Sequence, residues 1–316
     1  MKSITLLAVV ALLACSCADE QKSLPQYFDT SVASPTVFAP GIISTENNEF
    51  DMCFTPDGKT IYFTRRKNGE KQRIYRTDLV NGSWTTPKLA PFSTDRDETP
   101  FITPDGQTFY FGSQRQIPGK PNLGGFDMNV WKMTKEGDGW SDPVPLPEPI
   151  NYVQVEGEHW PSSNNNYLFT LDGKTHYFTT QVRGTEGIDV FTTQLENGIF
   201  NDPEKIEGLF TNDSLWKYSA SVSPDGRFLV FNVYDGPKGL GGDDIYVSQK
   251  TNDGWSPARN LGSPVNTEGE EGSARFSLDG RYFFYTHADN LGNEEYSPWS
   301  IYCIETKYLN LESLFE

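Results

Sequence analysis

The sequence predicts an all-β chain folded as a β-propeller of five four-stranded blades, closed into a ring by its own N-terminal strand. Three observations carry this. A short phrase recurs five times at intervals of roughly 40 to 50 residues or a little more, a period typical of units that bury their faces only against neighbours. Each copy is an apolar strand ending in Asp-Gly and answered by a second strand rich in Tyr and Phe. Finally, Ser34-Pro35 through Thr45-Glu46 aligns without gaps onto Ser256-Pro257 through Thr267-Glu268, so a segment missing after the fifth repeat is found near the start of the chain.

Residues 1–14 read as an export leader. Lys2 supplies a positive start, Ile4 to Leu13 is a short apolar run, and small residues precede a cysteine. The run is too short to remain in a bilayer as a spanning helix. Leu12-Leu13-Ala14-Cys15 resembles a bacterial lipoprotein cleavage box, which makes Cys15 the expected lipidated residue. Ala14-Cys15-Ser16-Cys17 offers a second frame at Cys17, and ordinary secretion with cleavage nearby is the plain alternative. Lipid on Cys15 would hold the protein at a membrane surface, each buried methylene contributing about 0.8 kcal/mol. Residues 15–33 are expected to form a linker, 34–306 the propeller and 307–316 a short tail.

Within each repeat the first two strands meet at the Asp-Gly turn: Pro56-Asp57-Gly58, Pro104-Asp105-Gly106, Leu171-Asp172-Gly173, Pro224-Asp225-Gly226 and Leu278-Asp279-Gly280. Asp can bond its own following backbone, and Gly takes the positive φ of a tight reversal. The second strand is apolar at successive positions, as in Ile61-Tyr62-Phe63 and Phe283-Phe284-Tyr285, which predicts burial on both faces. A third strand follows, ending with Ser300-Ile301-Tyr302-Cys303 in the last repeat. The fourth is more polar and carries a proline, as in Trp84-Thr85-Thr86-Pro87 and Trp255-Ser256-Pro257, and proline belongs at a sheet edge. Closure by the N-terminal segment removes free sheet edges. A sixth blade assembled from residues 20 to 50 and the tail is the alternative.

The net charge of −17 argues against nucleic acid as a partner, because binding a phosphate backbone requires a basic stripe and none is present. Cys53 and Cys303 fall on strands of the first and last repeats, where the close α-carbon approach of a disulfide is rare, so two buried free thiols are expected.

In a blade hairpin the residues before the first strand and after the second emerge on the same face. The first set is acidic: Glu46 and Glu49; Asp95, Asp97 and Glu98; Glu156 and Glu158; Asp213; Glu268, Glu270 and Glu271. Lys217 interrupts it at the position of Glu49 and Glu271. The second set holds Arg65, Arg66, Arg115, Arg183 and His287, with Tyr234 in the fourth repeat. Ring closure would bring these to one mouth of the central channel. Two readings stay open: a polar ligand pocket flanked by Trp160, Trp216 and Trp299, or acids that pair with Arg and cap backbone so that adjacent blades are tied together. Residues that break the repeat, namely His159, Trp160, Trp216, Lys217, Tyr234 and His287, are the ones from which a ligand site would be built.

Other candidates are plainer. His176 replaces an apolar residue of the second strand and reads as a core histidine. His159 and His287 could serve as acid and base with Glu158. Three histidines without His-x-His or Cys-x-x-Cys spacing predict no zinc site, and Gly236 to Gly242 lacks the Gly-Lys-Ser/Thr of a phosphate cradle. Asp127, Asp189 and Asp244 share one place in the repeat and read as turn-stabilising acids. No Gly-x-Ser-x-Gly elbow and no cofactor motif is present.

The repeats resemble those of the TolB-type, WD-repeat-like β-propeller family, whose signature is an acidic cluster, a Ser-Pro-Asp-Gly-Lys turn, Tyr-Phe and then Asp-Ile-Tyr. The resemblance spans nearly all of residues 34 to 306 and is specific for fold rather than activity. Similar repeats, with Asn-Thr-Glu leading into the acids, occur in envelope proteins bearing an extra peptidoglycan-binding domain, which is not recognised in this chain. Leader and repeats together imply a monomeric, cofactor-free lipoprotein at the cell envelope or outer membrane, binding an envelope protein or glycan through Glu158, His159, Trp160, Trp216, Lys217, Tyr234, Arg65, Arg115, Arg183 and His287. A carbohydrate-active hydrolase or lyase using rim carboxylates and histidine is the alternative.

Overall fold

The computed structural model describes residues 24–120, 127–151, 167–181, 185–293 and 295–316. Five antiparallel sheets follow one another along the chain as the blades of a propeller. Blade 1 runs from Asn48–Phe54 through Thr60–Arg66 to Arg73–Val80, and its outermost strand comes in two pieces, Ser83–Trp84 and Lys88–Leu89, that pair with the same neighbour. Pro87 lies in the gap, where its missing N–H leaves no ladder bond broken. Blades 2, 3 and 4 repeat this order around second strands Thr108–Ser113, Thr175–Thr180 and Phe228–Tyr234.

Blade 5 comprises Glu270–Phe276, Tyr282–Ala288 and Ser300–Glu305, and its outer strand is Thr36–Val37 from the other end of the chain. Thr36 stands opposite Cys303 and Val37 opposite Tyr302, so the ring closes as the internal alignment predicts and five blades are complete. Phe38 extends the seam: its N–H donates to Ile301 O at 2.8 Å, and its ring lies among Tyr27, Phe28, Phe54, Trp84 and Phe284. Residues 24–33 are not a free linker. Tyr27 stacks on Phe54 with centroids 5.0 Å apart, Val32 is buried and bonded to Glu305, and the segment crosses Gly58, where a Cβ would fall 2.4 Å from the Tyr27 hydroxyl. Tyr27 and Phe28, within the expected linker, carry this packing with their rings. The tail is likewise docked, with Leu309 and Leu311 buried in the core between blades 4 and 5.

The five Asp-Gly turns share one wiring. The hydroxyl of Thr55, Thr103, Thr170, Ser223 or Ser277 donates to the Asp two residues on, and the Gly takes φ of 67° to 74°. In four blades the innermost strand slips register once, with Asp51, Thr99, Ser219 and Ser273 at φ of 48° to 55°. Such a bulge bends the strand and re-aims its side chains. Cys53 and Cys303 are free and buried, and burial pushes the Cys53 thiol up to about 12.

Candidate functional site

Among the described residues, several of the charges at the ends of the blade hairpins are held in buried ion pairs, three within a blade and one between blades. Glu49 is fully buried and accepts from Arg65 Nε at 2.7 Å, from Thr45 N–H at 3.0 Å and from Thr45 Oγ1 at 2.7 Å, while Arg65 Nη2 donates to Ile42 O and Ile43 O. One charged pair thus clamps the connection between blades 5 and 1. In blade 2, Asp97 accepts from Arg115 at 2.9 Å and from Ser93, and Arg115 also donates to Phe92 O. In blade 5, Glu271 accepts from Thr267 and lies 2.7 Å from His287 Nδ1, whose Nε2 lies 3.0 Å from Asp289. Burial pushes the His287 imidazole down, but the hydrogen bonds to Glu271 and Asp289 outweigh it and hold its pKa above the ordinary value.

Blade 4 inverts the polarity. Lys217 occupies the acidic position, is buried, and reaches back to Asp189 of blade 3 at 2.7 Å while donating to Leu215 O and Ile188 O. Asp189, expected to stabilise a turn, is instead the acceptor for Lys217 and Lys205, because the third strand of blade 3 presents it to the neighbouring blade. Asp244 does stabilise its turn, accepting from Leu240 N–H and Gly241 N–H. His176 is a core histidine between Tyr110 and Phe200, and burial lowers its pKa. Glu158, His159, Trp160, Arg183 and Cys15 lie outside the described residues.

Arg275 closes the channel below this rim. It replaces the apolar residue found at Cys53, Phe101 and Leu168, is buried, and donates through Nη1 to Met52 O at 3.1 Å and Pro100 O at 2.7 Å from two other blades. Burial pushes the carboxyl of nearby Asp51 up to about 6 despite Arg275 and a hydrogen bond to Ser273. Toward the Asp-Gly turns the channel is a narrow apolar cavity of about 50 Å³ lined by Phe54, Phe101, Phe169 and Phe284.

A different arrangement sits at the seam of blades 4 and 5. Strand pairing sets Trp216 opposite Tyr234 and Tyr234 opposite Asp243, one row of side chains on one face of blade 4, with Tyr218 and Asn232 in the next row. Trp216 and Tyr234 are 39% and 53% exposed, and Tyr296, from a hairpin of blade 5 formed by Asn290–Gly292 and Glu295–Tyr296, is 40% exposed. Trp216 Nε1 donates to Glu186 O at 2.9 Å, and its ring meets Tyr218 edge to face with centroids 6.4 Å apart. Below the rings, the carboxyl groups of Asp243 and Glu270 are neighbours across the seam. Glycine makes this approach possible, since a Cβ on Gly242 would fall 2.5 Å from Glu270 Oε1 and one on Gly241 1.8 Å from Gly269 O. Burial and then the charge of Glu270 push the Asp243 carboxyl up to about 7, and Glu270 raises the pKa of Tyr296 beside it. Sequence reasoning singled out Trp216 and Tyr234 but not Asp243, which stands one residue before the repeated Asp-Ile-Tyr.

The shift has a consequence for stability. With the folded pKa of Asp243 above its unfolded value, the folded state holds a proton the unfolded chain lacks between about pH 4 and 7, so this group lowers stability as pH rises through that window and has no further effect above it. Asp243→Asn is therefore expected to leave Tm unchanged at pH 4 and raise it at pH 8, with the gain growing by up to about 1.4 kcal/mol per pH unit between. Thermal melts across pH 4 to 8 measure this, and an equal effect at both ends would contradict the raised carboxyl.

No protein-family model matches the sequence. No curated protein matches it either. Among solved structures it is similar to a putative TolB from Agrobacterium tumefaciens, at 15% identity and TM-score 0.51 over 83% of this chain and 78% of that one. It is also similar to a glycoside hydrolase, at 11% identity and TM-score 0.56 over 87% and 92% of the two chains. A protein of unknown function from Dyadobacter fermentans aligns at 12% identity and TM-score 0.51 over 89% and 84%. At such identities the likeness is one of fold, and the five closed blades make the chain a five-bladed β-propeller.

Proposed function

We propose that this protein is a non-catalytic binding module held at the bacterial cell envelope by lipid on Cys15, recognising an envelope protein or glycan at the mouth of the propeller. The observation that carries the reading is the exposed Trp216, Tyr234 and Tyr296 set above Asp243 and Glu270, on a rim whose other described charges are largely committed to partners within the chain. Large exposed rings next to polar groups are what binding surfaces are made of. Among the described residues no helix is long and apolar enough to cross a membrane, so attachment would fall to the lipid.

The test is equilibrium binding of the purified protein to a panel of oligosaccharides and solubilised envelope proteins, with sugar release assayed in the same samples. Trp216→Ala and Tyr234→Ala are expected to weaken binding at least tenfold with the circular dichroism spectrum intact. Turnover of any oligosaccharide, or binding indifferent to both changes, would refute the proposal. Cys15→Ser is expected to move the protein from the membrane fraction to the soluble one. If Cys17→Ser does so instead, the anchor belongs to the second frame.

A further inference from the structure

Among the described residues, four buried rim acids have a basic side chain of this chain against them: Glu49 has Arg65, Asp97 has Arg115, Glu271 has His287 and Asp189 has Lys217. Asp243 and Glu270 have none among the described residues, and where the other blades supply a cation this seam supplies aromatic rings. Asn232 adds to the imbalance. It is only 6% exposed, its Nδ2 reaches Asp243 Oδ1 at 3.4 Å, and its Oδ1 is left without a donor. The floor of the site is thus two neighbouring carboxyl groups and an orphaned amide oxygen, a surplus of acceptors in a partly buried place. The walls are Trp216, Tyr218, Tyr234 and Tyr296, whose ring faces attract a cation by about 0.5 to 2 kcal/mol each, more as water is excluded.

We infer that the seam between blades 4 and 5 binds a primary alkylammonium group, the side chain of a lysine presented by a partner protein, with its N–H donors on Asp243, Glu270 and Asn232 and its methylenes against Trp216 and Tyr234. The inference rests on the binding role proposed above and chooses protein over glycan within it. A primary ammonium supplies three donors and a positive charge together, which is what the floor lacks. A quaternary ammonium supplies charge without donors, and a neutral sugar supplies donors without charge. The exposed acids Asp235 and Glu268 on the connections beside the site add to the field that would draw a basic segment in, with Lys238 the one cation of the adjoining loop.

Titration of the purified protein, followed by tryptophan fluorescence and calorimetry, tests this with four probes: a lysine-bearing decapeptide, the same peptide acetylated at lysine Nε, its Nε-trimethylated form, and n-butylamine. The lysine peptide is expected to bind saturably, acetylation to weaken it at least tenfold, and trimethylation to weaken it by a smaller factor. The doubly substituted Asp243→Asn, Glu270→Gln protein keeps the shape of the floor and removes its repulsion, so it is expected to fold and to lose at least tenfold in affinity for the lysine peptide. Equal binding of the free and acetylated peptides, or no loss in the double variant, overturns the inference. Butylamine binding as tightly as the peptide overturns the assignment to a protein partner and points to a small amine. If no lysine probe binds while an oligosaccharide binds in a Trp216-dependent way, the lysine assignment falls and the binding role stands. If neither class binds, both fall.

Discussion

Replacing Phe38 by alanine is expected to lower the unfolding free energy by about 3 to 5 kcal/mol, the usual cost of deleting a buried phenylalanine. Against a typical total of about 5 to 15 kcal/mol, this is a large fraction. Phe38 is 1% exposed and touches rings from three places in the chain: Tyr27 and Phe28 of the N-terminal segment, Phe54 and Trp84 of blade 1, and Phe284 of blade 5. The closing strand itself is only two residues long, so its hydrogen bonds alone hold it weakly and the side chain that follows does much of the fastening. Urea denaturation of the single variant measures the loss. A change under about 1 kcal/mol would mean that the ring is held shut elsewhere.

The second large effect concerns Glu49. Glu49→Ala strands Arg65 in a buried site where its remaining partners are the Ile42 and Ile43 carbonyl oxygens and the rings of Phe63 and Tyr75, and breaking a buried pair from one side costs about 3 to 5 kcal/mol. It also removes the acceptor for Thr45 N–H and Oγ1, which positions the connection from the closing strand into blade 1. Adding Arg65→Met is expected to recover part of that loss, because the uncompensated charge is gone. The double-mutant cycle read by denaturant melts separates the two contributions, and additive single effects would show that the pair is not coupled.

Most of the architecture was legible because the repeat states the same local instruction five times. Asp-Gly turns, doubly buried second strands and edge prolines each have a local cause, and the ring closure could be read by aligning Ser34 to Glu46 with Ser256 to Glu268. The wiring of the turn was also in plain view, since a Thr or Ser precedes every Asp by two residues, yet its role emerged only from the hydrogen bonds. The site was legible in part. Of the residues that break the repeat, Trp216 and Tyr234 are exposed while Lys217 and His287 are buried against acids. Which cation met which acid was not, because Lys217 reaches Asp189 across a blade seam, a distance in space that no spacing in the chain encodes. That Asp243 neighbours Glu270 was hidden for the same reason, since the two meet only once two blades pack. Arg275, in the place of an apolar residue, is legible as an anomaly but not as the bar across the channel.

The N-terminal strand carries a last implication, for how this molecule comes into being. Val32 and Glu305, bonded to each other, are 273 positions apart, and Thr36 finds its partner only in the strand of Cys303. A nascent chain leaving the ribosome would therefore carry its first strand unmated until the last one has been made. The four intervening sheets can form in turn, each from nearby residues, while the circle stays open with a raw edge at either end. Synthesis order and assembly order run opposite at that one joint, so the earliest-made strand is among the last to settle.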